Sequence, residues 1–189
     1  MNKSLLSLSA LLGFPCVVSA HSVHETASFM NGFLHPLTGI DHLLVILAIG
    51  FLAARSTSRV RWQLPVSFAA FMLIGLLMGT ILYRPPFIEL AIAVSVLAMG
   101  LVILLNTQIN RLWQFILTTV FALLHGFVHG QELILSDKGS FAIFGMLVTT
   151  GLLLTVGLYL GSYKNRIGAY LQQAMVSVLT LGGTYFLLT

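Results

Sequence analysis

Histidines and acidic residues cluster in two short stretches of this apolar chain. The first stretch reads HPLTGIDHLL and the second reads FALLHGFVHGQE. Imidazole and carboxylate groups are ligands that Ni²⁺, Co²⁺ and Zn²⁺ all accept, so these residue types predict a site for a divalent metal ion. The candidate ligands are His35, Asp41, His42, His125, His129 and Glu132.

The second stretch has the spacing of a metal-binding helix face. His125 and His129 are four residues apart, so they share one face of a helix, about one turn from each other. Glu132 falls on the same face if the helix continues, and its carboxylate could then close the site. Gly126 and Gly130 leave a second face without side chains, where another helix can pack closely and bring further ligands within reach.

The first stretch contains residues that disfavour a regular helix. On a regular helix His35 and His42 would lie about 10 Å apart, which is too far for both to hold one metal ion. Pro36 and Gly39 weaken helical structure here, and a partly unwound segment would bring His35, Asp41 and His42 together. Alternatively, Asp41 accepts the second ring N–H of a ligating imidazole and fixes its tautomer.

Three further residues are weaker candidates for metal binding. Glu89 follows Pro85 and Pro86, and it is either a site residue or an interfacial carboxylate at a helix start. His21 and His24 precede the first apolar segment. They belong either to a tail that captures metal from outside or to a flexible polar tail.

The composition places these residues in a membrane protein. The chain is 58% hydrophobic and 7% charged, with a mean hydropathy of +0.99. A soluble domain of this size needs far more charge to cover its surface. Because basic residues set the orientation of a membrane protein, the net charge of +4 does not indicate nucleic-acid binding.

Residues 1–20 are predicted to be a cleaved signal peptide. Lys3 precedes a short apolar segment, residues 5–18, and the triplet Val18-Ser19-Ala20 matches the small-residue rule for cleavage. The apolar segment is too short to span a bilayer. We therefore expect residues 21–189 to form the mature chain, as one transmembrane domain.

Six apolar stretches of the mature chain approach the length of about 20 residues that a membrane span requires. They predict an all-α fold, a polytopic membrane bundle of six transmembrane helices. Glycines four residues apart, Gly75 with Gly79 and Gly157 with Gly161, predict close helix packing. The predicted spans are residues 32–54, 64–83, 87–105, 112–130, 140–161 and 169–188.

The basic residues predict the orientation of this bundle. The loop after the first span carries Arg55, Arg59 and Arg61, whereas the loop after the second carries only Arg84. The positive-inside rule therefore places the first, third and fifth loops in the cytoplasm. Both mature termini then face the outer, periplasmic side, which agrees with delivery of the N-terminus by a cleaved signal.

Together the two stretches resemble the HupE/UreJ family of nickel and cobalt permeases. The resemblance rests on His35-Pro36-x-x-Gly39-x-Asp41-His42-Leu43-Leu44 and on His125-Gly126-x-x-His129-Gly130-x-Glu132, and a cleaved signal with a histidine at the mature start also fits. The six-helix layout would extend it over the mature chain. Leu124 stands where the family has Phe, and Val45 where it often has Ala; both are apolar changes.

This resemblance implies a secondary carrier in the bacterial inner membrane. Its substrate would be Ni²⁺ or Co²⁺, supplied to the assembly of metalloenzymes such as hydrogenase or urease. The six candidate ligands named above would be the functional positions. Such a permease is not an enzyme and has no resident cofactor, and its partners would be a divalent metal ion and membrane lipid.

Two other functions fit part of the pattern. A membrane-embedded zinc hydrolase could use His42, His125 and His129 with an open water position, although the chain contains neither HExxH nor a GxSxG serine elbow. A haem-binding electron carrier would need axial histidines on facing helices, for which only His42 is deep enough to pair with the second stretch.

The inner half of the bundle offers only neutral polar or thioether side chains. The one cysteine, Cys16, lies in the predicted signal peptide, so the mature chain has no thiol, which disfavours Cu⁺. Nickel, cobalt and zinc overlap in ligand preference, so the choice among them stays open. The neutral candidates are Ser95, Met99, Thr118 and Thr119.

Overall fold

The fold is known from a computed structural model, which describes residues 29–56, 58–105, 109–133 and 139–188. The predicted signal peptide and the candidate ligands His21 and His24 lie outside the described residues. Within these ranges all regular secondary structure is α-helical and there is no strand, which confirms the all-α prediction. The helices are α1 (Phe29–Thr38), α2 (Ile40–Arg55), α3 (Ser58–Ile81), α4 (Ile88–Leu104), α5 (Arg111–Leu133), α6 (Gly139–Ser162) and α7 (Arg166–Leu188).

Four of the described helices are long and apolar enough to cross a membrane, and the count becomes five if α1 and α2 act as one broken span. Two predicted spans differ from expectation. The first, residues 32–54, is not one continuous helix, because α1 and α2 meet at an angle of 81°. The third corresponds to α4, which has 17 residues and is shorter than the usual span of about 20.

The break between α1 and α2 falls where the sequence disfavours a helix. Gly39 is in an extended conformation, with φ −79° and ψ 104°. Pro36 lies in the last turn of α1 and is buried, and it has no N–H to donate to a carbonyl of the preceding turn. The hydroxyl of Thr38 donates to the carbonyl of His35 at 3.0 Å. The interruption that Pro36 and Gly39 predict is therefore confirmed.

Glycines hold α3 and α5 in close contact. A Cβ added to Gly79 would collide with the backbone of Phe127, and one added to Gly130 would collide with the backbone of Leu76. Side chains cannot occupy such positions, so the glycines let the two backbones approach each other. Close packing at these spacings is confirmed. The expectation that the partner helix would bring ligands is wrong, because α3 presents Met72 and Leu76 to this face.

A second set of glycines joins α6 to the broken span. Gly157 packs on the backbone of α2 near Gly50, and Gly145 packs on the backbone of α1 at Phe29. The apolar middle of α2 is enclosed, with Val45 and Ile49 both 0% exposed. α2 contacts α1, α3, α4, α6 and α7, so it is the central helix, and its N-terminal end lies at the break.

Candidate metal centre

The break in the first span brings His35 and His42 together. On a continuous helix they would lie about 10 Å apart along the axis. In the structure α1 turns away from α2 at Gly39, and the ring centroids of His35 and His42 are 6.0 Å apart. The sequence predicted that these residues could converge only if the helix were interrupted, and the interruption has this effect.

Helix α5 adds two imidazoles to this pair. The ring of His42 lies 4.7 Å from that of His125 and 4.2 Å from that of His129, measured between centroids. The ring of His35 lies 4.5 Å from that of His129. Four histidines from α1, α2 and α5 thus form one cluster with His42 at its centre. We call these four residues the histidine cage. Their direct ring contacts leave no gap for a porphyrin between His42 and either histidine of α5.

Three imidazoles of the cage are removed from solvent. His42 is 8% exposed, and His125 and His129 are each 2% exposed, whereas His35 is half-buried. Both ring nitrogens of His42 are buried without a hydrogen-bond partner among the described residues. A buried polar atom without a partner is costly, and a bound metal ion would supply the missing interaction.

Asp41 adds a carboxylate beside the central imidazole. Its Oδ1 lies 2.8 Å from Nδ1 of His42. Because that ring nitrogen nevertheless makes no hydrogen bond, we interpret the contact as an electrostatic one whose direction does not follow the N–H bond. Asp41 is also in the first turn of α2, where the helix dipole favours a negative charge.

Asp41, His42 and His125 already lie close to the geometry of a metal site. Each offers one ligand atom, and these atoms lie within 4.8 Å of one another. Bonds of about 2.1 Å would hold opposite donors no more than about 4.2 Å apart, so small side-chain movements of about 0.6 Å would suffice. Nitrogen and carboxylate oxygen donors suit Ni²⁺, Co²⁺ and Zn²⁺.

The ring orientation of His125 is set by a serine that the sequence placed only among the neutral residues of the inner half. Ser95 Oγ donates to the carbonyl of Ile92 at 2.7 Å and lies 3.0 Å from Nε2 of His125. A hydroxyl has one proton, and with that proton directed to the carbonyl of Ile92 we assign Nε2 as the donor to Oγ. Nδ1 of His125 then carries the lone pair that a metal ion requires. No spacing in the sequence identifies Ser95, because it lies on a different helix.

Other predicted ligands lie outside the cage or outside the described side chains. Glu89 is exposed in the first turn of α4 and pairs with Arg84. Glu132 belongs to the last turn of α5, but its carboxylate is not among the described side chains. Metal binding by Glu89, Glu132, His21 and His24 stays a prediction.

Comparison with known proteins identifies relatives over nearly the whole chain. A family model described as HupE / UreJ protein matches residues 9–186. Protein HupE of Rhizobium leguminosarum bv. viciae is 29% identical over 179 residues, an alignment that spans 94% of both chains. No solved structure gives a significant match.

Proposed function

This chain belongs to the HupE/UreJ family, and on that premise we propose that it is a permease that moves Ni²⁺ or Co²⁺ across the bacterial inner membrane. Members of the family are accessory, permease-like membrane proteins associated with hydrogenase or urease, and they are not enzymes. The zinc hydrolase considered from the sequence therefore has no support.

The histidine cage is the observation that supports transport most directly. It lies where a membrane-crossing segment is interrupted, with one helix ending and another beginning at the site. Broken helices of this kind are a recurring way to build substrate sites in transporters. Buried imidazoles are costly in a membrane interior unless they have a function, and here three buried imidazoles and the half-buried His35 meet at a break.

We place this site in a six-span bundle. α1 and α2 together form the first span, and α3 to α7 supply the other five. The short helix α4 would cross with about 25 Å of helix, close to the thickness of the hydrocarbon core. The basic residues orient the bundle with the α2–α3 loop in the cytoplasm and both mature termini in the periplasm, after removal of residues 1–20.

Metal enters this arrangement from the periplasmic side. His21, His24, Glu89 and Glu132 supply donors near that surface, where they capture the ion. His35 is half-buried and connects the surface to the enclosed part of the cage. The ion then binds among Asp41, His42, His125 and His129.

The donor set favours binding that is reversible. A transport site must hold the ion strongly enough to select it and weakly enough to release it. Neutral imidazoles and one carboxylate meet this requirement better than thiolates, and the predicted mature chain has no cysteine. The chain has no P-loop motif for ATP hydrolysis, so the drive comes from the membrane potential, an ion gradient or consumption of the metal inside the cell.

Uptake of radiolabelled Ni²⁺ and, separately, Co²⁺ into cells that lack their own nickel carriers tests the proposal. His42→Ala and His129→Ala are compared with the wild type and with Gly151→Ala, at matched amounts of protein in the membrane. Gly151 is a suitable control because an added Cβ there meets nothing within 4 Å. We expect both histidine variants to abolish uptake and the control to retain it. Well-expressed wild-type protein that moves neither ion would contradict the proposal.

A further inference from the structure

The hydroxyl of Thr118 differs from most other hydroxyls on the described helices. Several serine and threonine side chains donate to a carbonyl of their own helix, three or four residues earlier, as polar side chains in apolar helices commonly do. Thr118 is 0% exposed, and its Oγ1 has no hydrogen-bond partner among the described residues. The hydroxyls that donate to a carbonyl of their own helix include those of Ser67, Thr80, Ser95, Thr155, Ser162 and Thr184.

Thr118 lies between two points at which α5 touches the central helix α2. At one end the ring of His125 contacts that of His42, with 4.7 Å between centroids. At the other end Ser56, just after α2, has its Oγ 3.1 Å from the carbonyl of Leu52 and 3.3 Å from Oε1 of Gln114, so its one proton is shared between these two acceptors. Around α5, Thr118 is rotated by only about 40° from Gln114 and about 20° from His125. It therefore shares the face that both contacts place toward α2.

Along this face of α5, Thr118 lies some distance from the cage, and an apolar side chain lies between them. Thr118 is seven residues before His125, which corresponds to about 10 Å along the helix axis. Phe121 lies on the same face between them and is 5% exposed. An ion that passes from the cage toward the cytoplasmic end thus meets an apolar side chain first and a buried hydroxyl next.

We infer that Thr118, together with the amide oxygen of Gln114 and the hydroxyl of Ser56, forms an inner relay station for a partly hydrated divalent cation that leaves the histidine cage. The inference rests on the proposed transport function. Neutral oxygens coordinate a hydrated ion weakly, which is what a departing ion requires. The Thr118 hydroxyl that the protein leaves without a partner would be satisfied each time an ion passes.

The guanidinium group of Arg55 is held away from this station. Arg55, next to Ser56, donates to Gln172 Oε1 at 2.9 Å and to the carbonyl of Gly168 at 2.7 Å. Its guanidinium group is thereby held toward α7.

The test separates metal binding from metal passage. Thr118→Val replaces the hydroxyl with a methyl group of similar size, and Thr118→Ser restores a hydroxyl. Thr119→Val is the matched control, because Thr119 Oγ1 also lacks a partner in the part of the chain that the structure describes but lies about 100° away around the helix. Each variant is assayed for uptake of Ni²⁺ in cells and for binding of Ni²⁺ to the purified, detergent-solubilised protein by calorimetry.

We expect Thr118→Val to bind Ni²⁺ with the affinity of the wild type, while its initial rate of uptake falls by about tenfold or more, the scale of one lost interaction with a charged group. Thr118→Ser and Thr119→Val should transport normally. Three results would each contradict the inner relay station: normal uptake by Thr118→Val, an equal loss of uptake in Thr119→Val, or a loss of Ni²⁺ binding in proportion to the loss of uptake. If the wild type neither bound nor moved Ni²⁺, the proposed transport function would fail as well.

Discussion

Ser95 Oγ lies 3.0 Å from Nε2 of His125, and the same oxygen donates its proton to the carbonyl of Ile92. This relationship connects α4 to the histidine cage without adding a ligand to it. In the tautomer that we assign, the serine accepts the imidazole proton and the other nitrogen of the ring is the metal donor. Groups that hold a ligating histidine in this way raise its basicity and fix its orientation.

Replacing Ser95 should weaken metal binding without removing a ligand. We expect Ser95→Ala to lower the affinity for Ni²⁺ by about tenfold, a typical effect of losing such an outer partner. Ser95→Thr retains the hydroxyl and should restore most of the affinity. Calorimetry on the purified protein measures both. Ser67→Ala is the control, because Ser67 is equally a buried serine bonded to its own helix, at Leu64. An equal loss in that variant would show that the effect is structural.

A side chain at Gly39 should disturb the cage rather than the fold. A Cβ there would lie 3.0 Å from His42 Nδ1 and 3.2 Å from Asp41 Oδ1. The extended backbone at Gly39, φ −79° and ψ 104°, is open to alanine without strain. Gly39→Ala should therefore weaken Ni²⁺ binding and uptake severalfold.

The metal-free Gly39→Ala protein should unfold at the temperature of the wild type. Thermal unfolding in detergent, measured with and without Ni²⁺, separates the two effects. In the wild type the metal should raise the unfolding temperature, and in Gly39→Ala it should raise it less. A variant that is destabilised without metal and binds Ni²⁺ normally would contradict the prediction that a side chain at Gly39 disturbs His42 and Asp41.

Gly130 should tolerate no side chain because its neighbours are backbone atoms. An added Cβ would meet the carbonyl of Leu76 and the Cα of Gly79, and overpacking of this kind costs about 1–3 kcal/mol. Gly130→Ala should lower the free energy of unfolding and the amount of protein in the membrane. Gly151→Ala, with nothing near the new methyl group, should be neutral or slightly stabilising, because alanine favours helix over glycine by about 1 kcal/mol.

Residue type and spacing predicted those features of the site that depend on a single segment of the chain. Pro36 and Gly39 indicated the break, and the four-residue spacing of His125 and His129 placed both imidazoles on one helix face. The angle of 81° between α1 and α2 could not be predicted, because it depends on how α6 packs against both helices. The expectation that the helix packed on Gly126 and Gly130 of α5 brings ligands was wrong for a similar reason. Glycines specify close approach but not which helix approaches.

Contacts between distant helices also lay beyond the sequence. Ser95 contacts His125 across 30 positions of the chain, and nothing in the surroundings of either residue indicates the other. The hydroxyl of Thr118 looks ordinary in sequence, and what distinguishes it is complete burial without a partner among the described residues, on the helix face that carries Gln114 and His125. α4 resembled a full span by composition, but its described length is 17 residues, two fewer than the predicted span of residues 87–105.

The position of His35 depends on a hydrogen bond from α6. Thr149 Oγ1 donates to the carbonyl of Phe33 at 2.6 Å, and this bond holds the short helix α1 two residues before His35. Thr149→Val should lower the free energy of unfolding by about 1 kcal/mol, the net value of one such bond. It should also reduce uptake at low Ni²⁺ concentration more than at saturation, because α1 then holds His35 less firmly against His129.

The next residue provides the matched control for this prediction. Thr150 is also buried, at 0% exposed, but the partner of its hydroxyl among the described residues is the sulfur of Met72 at 4.0 Å, a weak acceptor. Thr150→Val should therefore change both stability and uptake less than Thr149→Val. The measurements are thermal unfolding and the concentration dependence of Ni²⁺ uptake. Equal effects of the two substitutions would mean that loss of a buried hydroxyl, and not the bond to α1, determines the result.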